Sequence, residues 1–288
     1  MRNFKRERAR GKGTHWGARV AALAAMLLLP LGFASAQASL PEAPSNFPFT
    51  LTGPEAVTPE ELDAFGFVME ATLPSNTIAR AEAFIREFPD SQLLSLAQLR
   101  EMKAEIDANS YEGAVAVGHE LLRRNPNNLE ALILMAGVLP NFLPSYPDAR
   151  KANALKEARE DIQTATQLLQ TFHLMEGIPA RAFLTNKQNL RISLKQAAAF
   201  VDLASGNYER AIQEYQAVLA ENPTPPAVIS FRLGIAYYHA GQVEKARAQL
   251  ERAMQVDTGI IGKRAASLLK EIASKPNSLH QSPAGPER

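Results

Sequence analysis

Three stretches of this 288-residue chain can be laid over one another, and that repetition limits its fold more than any other feature. They run from Asn109-Ser110-Tyr111-Glu112-Gly113-Ala114 to Asn125-Pro126, from Gly206-Asn207-Tyr208-Glu209-Arg210-Ala211 to Asn222-Pro223, and from Gly241-Gln242-Val243-Glu244-Lys245-Ala246 to Asp257-Thr258. Each reads as a turn, an aromatic or apolar residue, two mostly polar residues, a small alanine, an apolar helix and a stop. Small residues such as Gly234 and Ala246 let two helices cross closely, and Leu233, Tyr237 and Leu250 fill the remaining space. One helix pair cannot bury its apolar face alone, so successive pairs must stack.

The three stretches resemble the second half of a tetratricopeptide repeat. Leu233-Gly234 and Tyr237 fit the first helix of the last repeat, and Phe88-Pro89-Asp90 resembles a weaker copy of the same stop. The resemblance implies an all-α, right-handed α-solenoid of about five helix pairs plus a C-terminal capping helix. With Phe231-Arg232-Leu233-Gly234 the layout resembles exported bacterial members of that family, which carry a long-helix insertion before two well-formed C-terminal repeats.

The rest of the chain can be placed around this frame. Thr58-Pro59-Glu60-Glu61 opens a first helix with a Thr cap, Pro at the first helical position and a returning Glu. That helix is predicted to reach Thr72, and a second to run from Thr77 to Phe88. Asp90 is predicted to cap a third, and Ser110 to Arg124 is the fourth. Asn127 to Val138 follows. Ala211 to Ala246 spans 35 residues, close to one repeat of about 34, but Ala114 to Ala211 spans 97, two repeats with about 29 left over. The surplus falls around 139–189, in helices predicted over Asp148–Phe172 and up to Ala204. Helices near 25 residues span about 37 Å, so this pair is expected to project from the solenoid or broaden it. The repeat region is placed at 58–273, its best repeats at 192–225 and 227–258, and its capping helix at 259–273.

The ends read differently. Arg2, Lys5, Arg6, Arg8, Arg10, Lys12 and Arg19, with Glu7 among them, precede a 14-residue apolar run from Val20 to Phe33 and the small-residue triplet Ala34-Ser35-Ala36. This is the layout of a signal peptide over 1–36, cut between Ala36 and Gln37. The run falls short of the roughly 20 residues of a membrane span, so contact with a membrane is expected only through an uncleaved leader. A periplasmic or secreted location follows. Residues 37–57, with four prolines, are expected to form a linker, and 274–288 a disordered tail. The full chain has 31 Lys and Arg against 30 Asp and Glu. Without the leader it has 24 against 29, about −5, which disfavours nucleic acid as a partner. Absence of cysteine removes disulfides, thiolate metal sites and cysteine nucleophiles together.

Catalytic patterns are looked for and not found. His119-Glu120 begins like a helical zinc-protease motif, but Arg123 stands where the second histidine is needed. His173, His239 and His280 have no ligand-like spacing, and Gly11-Lys12-Gly13-Thr14 lies in the leader. Glu157, Glu160 and Asp161 share a helix face, yet Lys156 and Arg159 are interleaved, so that face reads as solvated. No cofactor or metal is expected.

In tetratricopeptide proteins the first helix of each pair lines a groove that holds a peptide. Carried over, the resemblance places Val228, Phe231, Ile235, Tyr238 and His239 there from the last repeat, Gln196, Phe200 and Leu203 from the one before, and Leu99, Lys103 and Ile106 from the second pair. Adaptors of this fold that grip a terminal carboxylate use Lys and Asn along these helices. Here the matching positions are mostly apolar and Arg232 is the only fit, so the expected occupant is an apolar peptide or a helix. The expected function is an exported, non-catalytic protein-binding scaffold. The alternatives are a self-associating envelope protein joined through its long helices, and an enzyme or enzyme subunit with its residues in the insertion. On this reading the far-UV circular dichroism of the protein is dominated by helix, and a strand-dominated spectrum overturns the architecture.

Overall fold

Thr58 opens the first helix as the capping box requires: its backbone N–H donates to Glu61 Oε2 at 2.6 Å, and Glu61 N–H donates to Thr58 Oγ1 at 3.2 Å. The computed structural model describes residues 57–141, 147–172, 180–222 and 225–274. The expected leader with its Ala36–Gln37 cleavage point, the linker to residue 56 and the tail from 275 lie outside the described residues.

Among the described residues there are eleven helices and no strand. They are α1 (Pro59–Glu70), α2 (Pro74–Glu87), α3 (Leu94–Asp107), α4 (Tyr111–Arg124), α5 (Leu129–Val138), α6 (Asp148–Gln170), α7 (Ala180–Ala204), α8 (Tyr208–Glu221), α9 (Ala227–His239), α10 (Val243–Val256) and α11 (Ile260–Ser274). None is long and apolar enough to cross a membrane. Each helix packs on the next, and each odd-numbered helix also touches the next odd-numbered one. The result is an α-solenoid with a layer of first helices, a layer of second helices, and α11 covering the end.

The three superimposable stretches share one turn. Asn109, Gly206 and Gly241 have φ of 58°, 79° and 74°. After each, the next N–H donates back to a carbonyl five residues earlier: Ser110 to Glu105 O at 2.8 Å, Asn207 to Asp202 O at 2.9 Å, and Gln242 to Tyr237 O at 2.8 Å. This left-handed helix ending favours Gly or Asn, which is why those residue types recur there.

Two predicted starts are corrected. α2 begins at Pro74, because proline is well suited to the first helical position. Thr77 is buried one turn in, where its hydroxyl donates to Leu73 O at 3.0 Å. α3 begins at Leu94, beyond Asp90, after a turn in which Leu93 N–H donates to Ser91 Oγ at 3.1 Å.

The surplus residues lengthen α6 and α7 within the third and fourth pairs. Their extra turns clasp the short helix α5, seven of whose ten residues are buried. Leu132 and Ile133 of α5 share a core with Ala165 and Leu169 of α6 and Leu194 of α7. Beyond that core the hairpin continues on its own contacts: Phe172 stacks on Phe183 with centroids 5.4 Å apart, and Lys187 Nζ donates to Phe172 O at 2.8 Å. So the long pair broadens the solenoid first and projects only at its tip.

Close packing at the crossings sets the tolerance of the fold. A Cβ on Gly234 would stand 2.8 Å from Leu250 Cγ and 3.3 Å from Ala246 O, whereas one on Gly66 meets nothing within 4 Å. Gly234→Ala is therefore expected to destabilise by about 1–3 kcal/mol. Gly66→Ala is expected to stabilise by about 0.5–1 kcal/mol through helix propensity. Chemical denaturation of the two variants beside wild type checks both.

Candidate binding face on the first-helix layer

The first helices are buried on two sides, by their own partner and by neighbouring pairs. Only a strip of each is left for a ligand. On α9 the strip carries Val228, Phe231, Arg232, Ile235 and Tyr238, all half-buried, and His239, which is exposed. On α7 it carries Gln196 and Phe200, also half-buried. Phe200, Val228, Phe231, Ile235 and Tyr238 rest on one core, with Leu233, Tyr237, Tyr215 and Leu250 beneath them. These residues share one core.

Two expected groove residues lie elsewhere. Leu99 is 4% exposed and packs with Met102, Leu121 and Met135. Leu203 is 9% exposed and packs among Ala211, Ile212 and Tyr237. Both face the neighbouring helices, because a helix covered on two sides has an apolar stripe wider than its accessible one. Ile106 is half-buried against the core of Leu99, and Lys103 is tied to Glu130 at the start of α5 at 2.6 Å. Ile106 thus packs on a core that also takes in Ala197 and Val201 of α7.

Charge on the layer is mostly paired. Glu221 receives Lys195 at 2.6 Å and Arg191 at 2.9 Å. Arg100 donates to Ala71 O at the end of α1 at 3.0 Å. Arg232 differs: its guanidinium carbon lies 3.4 Å from the Phe200 ring centroid, a flat cation–π stack. Burial lowers its pKa, and the groups acting on it are the phenols of Tyr215 and Tyr111. Tyr215 is fully buried and its Oη has no partner in hydrogen-bond geometry. Burial pushes that phenol up, and Arg232 offsets part of the rise. Tyr111 is legible in the sequence only as a motif aromatic, and nothing there signals that it or Tyr215 lies near Arg232.

At the edge of the layer, His239 stacks on Tyr208 with centroids 4.8 Å apart and planes at 12°. Tyr208, Gly206, Asn207, Glu209, Arg210 and Ala240 line a shallow, open depression beside it. Beneath, Asp202 is held by Arg210 Nε at 2.9 Å and by Asn207 Nδ2 at 3.0 Å.

The acidic stretch of α6 departs from a fully solvated face. His119 of α4 bonds Glu157 through Nε2 at 2.6 Å. Asp161, one turn on, is turned inward, with Oδ2 buried and unpartnered. Burial, with Glu157 and Glu160, raises its pKa to about 7, while His119 opposes the rise. Among the described residues no group of His, Asp and Glu is placed to hold a metal ion.

The repeated helix pairs and their shared turn have counterparts in known proteins. Residues 202–272 match the family model of the tetratricopeptide repeat. A thermophilic tetratricopeptide-repeat protein of Thermus thermophilus superposes with a TM-score of 0.50 at 16% identity, covering 68% of this chain and 91% of that one. A tetratricopeptide-repeat protein from Parabacteroides merdae aligns at 15% identity and a TM-score of 0.35, over 75% of this chain and 91% of its own. No curated protein matches the sequence. Residues 202–272 thus carry tetratricopeptide-type repeats, and the fold is an α-solenoid of that kind.

Because the folded pKa of Asp161 lies above its unfolded value, the folded state holds this proton more tightly. Its contribution is most favourable at low pH and is lost as pH rises from about 4 towards 7. Asp161→Asn is therefore expected to raise Tm at pH 8 and to leave it nearly unchanged at pH 4, as thermal melts at the two pH values would show.

Proposed function

We propose that this protein is an exported, non-catalytic scaffold of the bacterial envelope that holds a peptide or helix of a partner protein on the α7–α9 face. The observation that carries this is the half-buried apolar row Val228, Phe231, Ile235 and Tyr238, with Phe200 beside it, lying over one buried core. A row of large apolar side chains left accessible on a rigid layer is the arrangement a docking peptide needs. The basic leader, short apolar run and cleavage triplet support export to the periplasm or beyond, and the mature charge of about −5 turns away polyanions.

Self-association through the long helices is the second reading. It is favoured by Leu184, which stands 62% exposed near the tip of the α6–α7 hairpin.

Affinity capture from the native envelope, comparing the mature chain with Phe231→Ala/Tyr238→Ala, tests the first reading. The double variant, with its helical circular dichroism retained, is expected to lose the proteins that wild type recovers. Recovery of the same set would remove the face from consideration. The captured chain is expected to begin at Gln37 on N-terminal sequencing. Sedimentation at several concentrations is expected to give a constant monomer mass, and a rising mass would favour the second reading.

A further inference from the structure

Among the cations of the first-helix layer described above, Lys103, Arg191 and Lys195 each have a carboxylate and Arg100 a carbonyl. Arg232 has neither among the described residues. Its guanidinium lies over the Phe200 ring, the residue is half-buried, and the buried hydroxyl of Tyr215 interacts with it. A cation withdrawn from water without a counter-ion is unfavourable, and stacking on one ring recovers only part of that.

We infer that Arg232 is the seat for an aspartate or glutamate side chain of the bound peptide, which is flanked on both sides by apolar residues. This rests on the α7–α9 face being the binding face. Register selects a side chain over a terminal carboxylate. Val228 and Phe231 lie on one side of Arg232 along α9, with Ile235 about one turn on and Tyr238 nearly two on the other side. A peptide that ended at Arg232 would leave half of this apolar row empty, whereas one that presents a side chain there continues in both directions. The planar guanidinium, fixed by Phe200, offers its N–H fork to a carboxylate without further ordering. An acid arriving there also removes an existing desolvation penalty, so the gain is larger than at an exposed arginine. Burial already depresses the pKa of Arg232, which agrees with a guanidinium short of counter-charge.

The test uses the mature full chain, immobilised, and random dodecapeptides displayed on phage through their C-termini, so that no free terminal carboxylate is offered. Wild type is expected to select apolar peptides enriched in one central Asp or Glu. In a selected peptide made synthetically, replacing that acid by its amide is expected to weaken binding about tenfold, less at high salt. Arg232→Gln is expected to bind the two forms alike and to select no acid, while Arg232→Lys keeps part of the preference. If wild type selects apolar peptides without acid enrichment, or if Arg232→Gln keeps the enrichment, the assignment of Arg232 is wrong and the binding face stands. If folded wild type selects no peptide, the face itself is wrong and the assignment falls with it. Should Arg232→Gln lose its helical spectrum, the acid and amide peptides on wild type and Arg232→Lys decide the matter.

Discussion

The crossing of α9 over α10 is the interaction from which the remaining geometry follows. Gly234 brings the two backbones close enough for Leu250 to lie directly on the glycine, and Leu233 and Tyr237 close the gap on either side. The same device recurs at α4, where a Cβ on Gly118 would collide with Met135. Because these crossings are tight, each pair has a fixed angle, and the angle determines which strip of the next first helix stays accessible. Position on the layer is thus set by small residues, while the large residues around them are left to fill space or to meet a ligand.

Much of this was legible in the sequence because turn chemistry and packing chemistry are local. The left-handed positions at Asn109, Gly206 and Gly241 announce themselves by residue type, and so does the Thr58–Glu61 box. The surplus length was countable, and its placement in α6 and α7 follows the count. Less legible were features decided by neighbours distant in the chain. Leu99 and Leu203 carry the same periodicity as the accessible residues, and only the stacking of a further pair puts them inside. Asp161 sits among solvated charges in sequence, yet one of its carboxylate oxygens is buried in the fold. The helix starts at Pro74 and Leu94 were misplaced for a smaller reason: two residues that commonly cap helices, Thr77 and Asp90, lay just beyond and just before the true ends.

The half-buried row on α9 shows the same division. That α9 would present Phe231 and Tyr238 follows from the repeat, which fixes their distance from Leu233-Gly234. That Arg232 would lie on Phe200, with no ion pair to a carboxylate among the described residues, depends on how α7 and α9 meet and has no sequence signature. A charge pattern along one helix describes pairings within that helix only. The pairings of Lys103 with Glu130, and of Lys195 with Glu221, each cross between helices.

The clasp of α6 and α7 around α5 has a mechanical consequence. A solenoid deforms by small changes at each junction between neighbours, so it behaves as a spring whose compliance is spread along its length. Here the middle junctions share a core with a helix enclosed on several sides, whereas α1 and α11 each lean mainly on what precedes or follows them. Where three helices share one core, a change at one junction has to be accompanied by a change at the next. A load passing through the middle of the solenoid would therefore be met by α5, α6 and α7 together rather than by one junction at a time.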